Sequence, residues 1–262
     1  MFRGPDWTTP GGAEASAPQA QAATVPGLFS MAEIEVNSRC NLRCDYCPVS
    51  IAPPLSQARL MQPATVDRIF SELARLGFAG RLSYHFYNEP LLHPGLEGLV
   101  EQAHGRLPRV RQVLYTNGEL LSDARHARLV AAGIHRFVIT RHTGKPIAER
   151  PLQTILEPKE LVITNRGGAM GQAPEPLRLP CHAPYNMLIV TVSGDVLLCY
   201  EDYHRTQIMG NVLERPLDEI WFSKRFSELR DVLMKGDRTQ TEICRACINQ
   251  AHLSDEAFDF VL

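Results

Sequence analysis

Three cysteines fall within one short run, Cys40-Asn41-Leu42-Arg43-Cys44-Asp45-Tyr46-Cys47-Pro48. Their spacing is C-x3-C-x2-C. Three thiolates so placed can hold three irons of a [4Fe–4S] cubane and leave the fourth iron open. An open corner lets a cluster act on a bound molecule instead of only passing electrons. The alternative is structural zinc, which closes with four ligands, usually from two paired C-x2-C knuckles. The triplet fits that pattern poorly. A second group follows far along the chain: Cys181, Cys199, Cys244 and Cys247, the last two forming a C-x2-C pair. Four thiolates can saturate a cluster and suit it to electron transfer. Zinc stays open for this set, because an all-cysteine quartet is also a zinc pattern. Three and four together account for all 7 cysteines. An odd, clustered complement reads as metal or redox ligands rather than disulfides.

The remaining composition narrows the setting. A net charge of -2 gives no general pull toward nucleic acid or anionic membrane. No run approaches the ~18 apolar residues of a membrane span, and no secretory signal is visible. The expected home is the cytoplasm. With 44% apolar residues, 262 residues make one large domain or a domain with an appendage. Residues 1–30, rich in Pro, Gly, Ala and Gln, read as a disordered extension. That stretch is too short to be a folded peptide-recognition domain.

Strands and helices alternate after it. Strands are expected at Ala32–Asn37, Arg81–Phe86, Val110–Thr116, His135–Thr140 and Leu161–Asn165. Helices are expected from Pro63 to about Gly77, around Leu96–Ala103, and after the cap Ser122 as far as Gly133. Residues 141–160, interrupted by Pro146, Pro151 and Pro158, carry little helical pattern. This alternation argues for parallel βαβ units, hence an α/β fold. It predicts a shortened partial (β/α) barrel of about five strands and four helices over residues 31–168. Residues 169–262 are expected to form a small C-terminal domain. That domain consists of a hairpin (Met187–Val192 and Val196–Tyr200), a helix from about Leu217 to Lys235, and the C-x2-C pair.

The ends of the predicted strands carry the other candidate groups. Tyr84-His85-Phe86-Tyr87-Asn88-Glu89-Pro90 ends the second strand, and Thr116-Asn117-Gly118 the third. Thr140-Arg141-His142 ends the fourth, and Asn165-Arg166-Gly167-Gly168 the fifth. The cysteine triplet with an aromatic before its last cysteine, together with Asn88-Glu89-Pro90, resembles the radical S-adenosylmethionine (SAM) superfamily. That position in the family usually reads Gly-Gly-Glu-Pro; here Tyr87-Asn88 replaces the glycines. The order of the quartet, with Gly194-Asp195-Val196 and Met209-Gly210-Asn211-Val212, resembles the Twitch domain, a truncated SPASM domain.

The resemblance implies two [4Fe–4S] clusters, one at Cys40, Cys44 and Cys47 and one at Cys181, Cys199, Cys244 and Cys247. It implies SAM held near Tyr46, Asn88, Glu89, Thr116, Asn117 and Arg141, and catalytic roles for Arg166, His142 and Tyr87. His85 and Glu201 are further proton-acceptor candidates. SAM cleavage would give a 5′-deoxyadenosyl radical that takes a hydrogen atom from a substrate C–H. An electron donor of the flavodoxin or ferredoxin type is implied. If the second cluster accepts the substrate radical's electron, a secondary alcohol becomes a ketone. If a thiol returns hydrogen, the product is an epimer; with every cysteine assigned, oxidation is the expected outcome. Related enzymes act on aminocyclitols and other sugars in antibiotic biosynthesis. A ribosomal peptide substrate and a plain two-cluster electron carrier are the other readings.

Overall fold

The structure, a computed structural model, describes residues 27–51, 59–173 and 175–253. The expected N-terminal extension falls mostly outside the described residues. Within them, eight strands form one sheet: β1 (Met31–Ile34), β2 (Arg81–Ser83), β3 (Arg111–Thr116), β4 (Arg136–Thr140), β5 (Gln153–Leu156), β6 (Met187–Val190), β7 (Asp195–Leu197) and β8 (Ile208–Asn211). Their order across the sheet is β5-β4-β3-β2-β1-β6-β7-β8. From β5 to β6 every neighbouring pair is parallel; β7 and β8 close the far edge antiparallel. The α/β class and parallel core expected from the strand–helix alternation are present, with β6 to β8 added to the same sheet.

The crossover helices are amphipathic. After α1 (Pro48–Ile51), α2 (Pro63–Arg75) begins with proline at its first position, where no backbone donor is needed. It buries Val66, Ile69, Phe70 and Leu73. α3 (Leu96–Arg106) buries Leu96, Val100 and Ala103. α4 (Asp123–Ala132) is capped by the Ser122 hydroxyl, which accepts from Arg125 N, and stops at Gly133. β4 then runs to β5 through an irregular segment with no α-helix, in keeping with its prolines.

Three expectations are corrected. The fifth strand is Gln153–Leu156, not Leu161–Asn165. Arg141 N donates to Leu156 O, so the earlier segment holds the sheet edge, while Val162 and Ile163 stay exposed. The helix expected over 217–235 is two: α6 (Leu217–Trp221) and α7 (Lys224–Met234). Ser223 breaks it, because its hydroxyl accepts from Phe226 N and so starts a new helix. The expected hairpin gains a third strand, β8, and is part of the main sheet: β6 pairs with β1 on the side opposite β2. The short α5 (Ala183–Asn186) precedes β6, and α8 (Glu242–Ala246) carries Cys244.

One close approach holds the β1–β2 seam. A Cβ on Gly80 would lie 1.9 Å from Ser30 O, the acceptor of the first β2 donor, Arg81 N. Gly80→Ala is expected to cost about 1–3 kcal/mol through overpacking. Gly98→Ala, in open space within α3, is expected to stabilise by about 0.5–1 kcal/mol. Denaturant midpoints of the two anaerobically prepared variants check both signs.

Candidate active site

The ends of β1 to β4 and the segment after β5 surround one open cleft of about 870 Å³. Of the predicted groups, Cys40, Cys44, Cys47, Tyr46, Tyr87, Asn88, Glu89, Thr116, Asn117, His142 and Arg166 all line it. Arg141 does not. It pairs with Glu157 and lines a separate rim cleft with Lys145 and Arg150.

Glu89 organises this cleft. It is 2% exposed. Its Oε1 accepts from Thr116 Oγ1 at 2.6 Å and from Leu91 N at 3.0 Å; Oε2 accepts from Asn117 N at 2.8 Å. Its own backbone joins in: Glu89 N donates to Arg39 O, and Glu89 O accepts from Asn37 Nδ2. The carboxylate thus locks the β2 and β3 ends to the root of the cysteine loop. Burial pushes its pKa up, against the three donors. Asn117 continues the tie, with Nδ2 donating to Asn41 Oδ1 at 2.8 Å inside the loop. The Tyr46 hydroxyl meets His142 Nδ1, fastening the loop to the β4 end. Asn88 turns inward and accepts from Phe86 N at 2.8 Å, and so shapes the chain that the family builds with glycine.

Aromatic rings form one wall. Tyr87 packs on Tyr200 at 5.0 Å between ring centroids and on Tyr203 at 5.0 Å, and its hydroxyl donates to Tyr200 O at 3.0 Å. That bond commits Tyr87 to the main chain. Arg166, with a left-handed backbone φ of 49°, stands 5.8 Å from the Tyr87 ring and 3.9 Å from Glu201. Its Nε is buried without a partner.

A second cleft, of about 750 Å³, continues the first and shares His85, Tyr115, Arg166 and Tyr200 with it. Its floor is an ion pair between strands that sequence reasoning missed. Glu33 on β1 and Arg81 on β2 meet at 2.9 Å, and Arg81 also donates to the Tyr115 hydroxyl at 2.6 Å. Glu33 Oε2, Arg81 Nε and His85 Nδ1 are buried without partners. Burial raises the Glu33 pKa to about 7, against the pull of Arg81. Burial and Arg81 lower that of His85 to about 3, so its imidazole is neutral.

Behind this cleft, Cys181, Cys199, Cys244 and Cys247 line one cavity of about 370 Å³ with Glu201, Arg238, Asn249 and His252. Glu201 and His252 border both. Cys199, Cys244 and Cys247 are buried; the triplet is half-exposed. Burial pushes the Cys40 and Cys244 thiols up to about 11 and Cys247 to about 12. Such thiols ionise only when a cation draws off their protons, as iron does. Both sets are all-thiol, the donor chemistry that an iron–sulfur cluster takes, and the triplet faces the open cleft while three of the quartet's four thiols are buried.

The comparisons with known proteins agree with this division. Residues 34–161 match the model of the radical SAM superfamily, and residues 181–248 that of SPASM, an iron–sulfur cluster-binding domain. The chain is 36% identical over 248 residues to the S-adenosyl-L-methionine-dependent 2-deoxy-scyllo-inosamine dehydrogenase of Niallia circulans, covering 90% of this chain and 99% of that protein. Among solved structures it matches that of BtrN in complex with AdoMet and 2-DOIA, with a TM-score of 0.83 at 36% identity. A crystal structure of BtrN in an open conformation follows at 0.74 and 34% identity. Both matches cover 90% of this chain and 99% of the other. The cofactors are SAM and [4Fe–4S] clusters, and the chain belongs to the radical SAM superfamily, with an iron–sulfur-binding SPASM domain following its radical-generating core.

Proposed function

We propose that this enzyme oxidises a secondary alcohol to a ketone on an aminocyclitol or closely related amino sugar, as the name of its Niallia circulans relative suggests. The observation that carries this reading is the cleft floored by Glu33 and Arg81, set between the open cysteine triplet and the closed quartet. When bound, the clusters and SAM supply a radical that removes one hydrogen atom from a substrate C–H and an acceptor for the electron left behind.

The chain's own residues do the rest. Glu33 Oε2, Arg81 Nε and Arg166 Nε are buried polar atoms with unmet capacity, and a polyhydroxylated amine would fill it. Glu33 suits an ammonium or a hydroxyl proton, and the two guanidinium groups suit hydroxyl oxygens. Arg166 lines both clefts and orients the reacting alcohol. Glu33, poised near pH 7, takes the hydroxyl proton as the electron leaves. His85 stays neutral and gives the substrate a polar edge. Tyr46 and His142 pin the cysteine loop, and Glu89, Thr116, Asn117 and Asn88 shape the SAM side of the cleft. Tyr87 braces Arg166. The apolar wall of Phe86, Tyr87 and Tyr200 excludes water from the radical step.

No cysteine lies outside the two ligand sets, so no spare thiol is available to return hydrogen, which favours oxidation over epimerisation. Among the described residues no helix is long and apolar enough to cross a membrane. Seven unpaired thiols suit a reducing compartment, and we place the enzyme in the cytoplasm with a flavodoxin- or ferredoxin-type donor.

Anaerobically reconstituted protein with SAM, dithionite and 2-deoxy-scyllo-inosamine is expected to yield ketone and 5′-deoxyadenosine in equal amounts. Solvent deuterium at an inverted carbon without oxidation would refute the dehydrogenase; absence of 5′-deoxyadenosine would remove the radical enzyme altogether. A base must be ionised to act. Since Glu33 titrates near 7 beside Arg81, Tyr115, His85, Arg166, Tyr200, Glu201 and His252, the rate is expected to fall as pH drops below about 7. Glu33→Gln is expected to flatten that acid limb and slow ketone formation by about 10²-fold or more. The ligand sets separate in iron analysis. Cys44→Ala is expected to abolish SAM cleavage and Cys199→Ala to spare it in part, each losing about half of the iron. Unchanged iron in both variants would overturn the assignment.

A further inference from the structure

The quartet cavity holds one charged group that the reaction as described does not use. Arg238 follows α7 in a tight turn. Gly236, at φ +79°, lets the backbone approach Arg178, where a Cβ would lie 3.2 Å from the Arg178 carbonyl. The side chain is buried, at 2% exposure. Nε donates to Leu179 O at 3.1 Å and Nη2 to Pro180 O at 3.0 Å. The third arm, Nη1, stands 4.0 Å from Cys247 Sγ. Two carbonyls of the linker before Cys181 thus hold the fork, and the charge faces the C-x2-C pair.

Two carboxylates also stand near the quartet, those of Asp202 and Glu201. Asp202 is fully buried, its carboxylate accepting from Thr206 N, Thr206 Oγ1 and Gln207 N. Glu201 accepts from Thr164 Oγ1 and Asn249 Nδ2, and lies 3.9 Å from Arg166. Among the described residues lining the cavity, Arg238 is the only arginine or lysine. A cluster held by four thiolates is already negative, and an incoming electron adds to that charge in a medium that screens weakly. Its potential follows net charge, bonds to sulfur and exposure to water.

We propose that Arg238 is the positioning residue that tunes the second cluster: its buried guanidinium beside Cys247 stabilises the reduced form and raises the potential at which the quartet takes an electron. The substrate radical gives up one electron to that cluster and its hydroxyl proton to Glu33, which leaves the C=O bond. This inference rests on the reading of the quartet as electron acceptor. Lysine fills the same place less well, because its donors share one nitrogen and lack the planar fork whose separate arms reach both carbonyls and the sulfur.

The test is a redox titration of the holoenzyme without substrate, followed by electron paramagnetic resonance. The signal that SAM does not perturb belongs to the quartet. Arg238→Gln is expected to keep its full iron and to move that midpoint to more negative potential; Arg238→Lys is expected to move it less. With substrate, the Gln variant is expected to form less ketone per 5′-deoxyadenosine. An unchanged midpoint in an iron-replete Gln variant overturns the proposal. Loss of the quartet signal in that variant overturns it too, by making Arg238 a scaffold for the 179–180 linker. The midpoint is read with no substrate present, so its failure is separate from a failure to find ketone.

Discussion

The parallel ladder between β1 and β6 is the constraint on which the whole site depends. Met31 to Ile34 pair in register with Met187 to Val190, and the first three of them, Met31 to Glu33, pair with β2 on their other side. β1 runs into the cysteine triplet; β6 runs into the hairpin that ends at Cys199. One set of backbone bonds therefore fixes the radical source relative to the enclosed quartet. Glu35, just past β1, reinforces it: its carboxylate accepts from Val192 N at 2.8 Å and pairs with Arg205. Both partners are mostly buried, and the pair joins the cluster loop's root to the hairpin. A flexible tether between two clusters would leave the gap variable, and a radical held at a variable distance reacts with whatever is near.

The same ladder explains where the substrate cleft lies. Strand alternation sends Ala32 and Ile34 to the helix-covered face and Glu33 to the interior of the barrel. Arg81 enters from β2 and Tyr115 from β3, which makes a polar layer three strands wide. Such a layer is costly as structure, since a buried ion pair often stabilises less than apolar packing would. Glu33 and Arg81 each keep an unpartnered atom besides. A stability argument has no use for those atoms, and a ligand does.

This is also where the sequence was hardest to read. The triplet, the quartet and four of the five predicted core strands are legible because each rests on a sharp local signal: cysteine spacing, proline at a helix start, glycine at a helix end. The alternation of Glu33 and Glu35 with Ala32, Ile34 and Val36 looks the same for a strand facing water and for one facing a polar lumen. Only the long-range arrangement of the strands tells them apart, and no local pattern encodes it. The fifth strand was missed for a related reason. Gln153–Leu156 is an edge strand of middling burial, with a weak pattern, while Leu161-Val162-Ile163 has the apolar, β-branched look of a strand but lies largely exposed. Arg238 had no signal at all, since its partners are two backbone carbonyls some sixty positions earlier.

The contrast between the two thiol sets bears on the outcome of the reaction. The triplet is half-exposed and faces a cleft able to admit a ligand; three of the quartet's four thiols are buried, in a more enclosed cavity. A cluster saturated by four thiolates offers no corner for a ligand, but an electron can cross the packed residues between. Glu201 and His252 border both the second cleft and the quartet cavity, so the two adjoin. Hydrogen return to the substrate needs an atom donor in contact with the radical carbon, and no spare thiol stands there. Electron loss needs only proximity and a favourable potential. The β1–β6 ladder bears on the first, and on our proposal the charge placed beside Cys247 bears on the second.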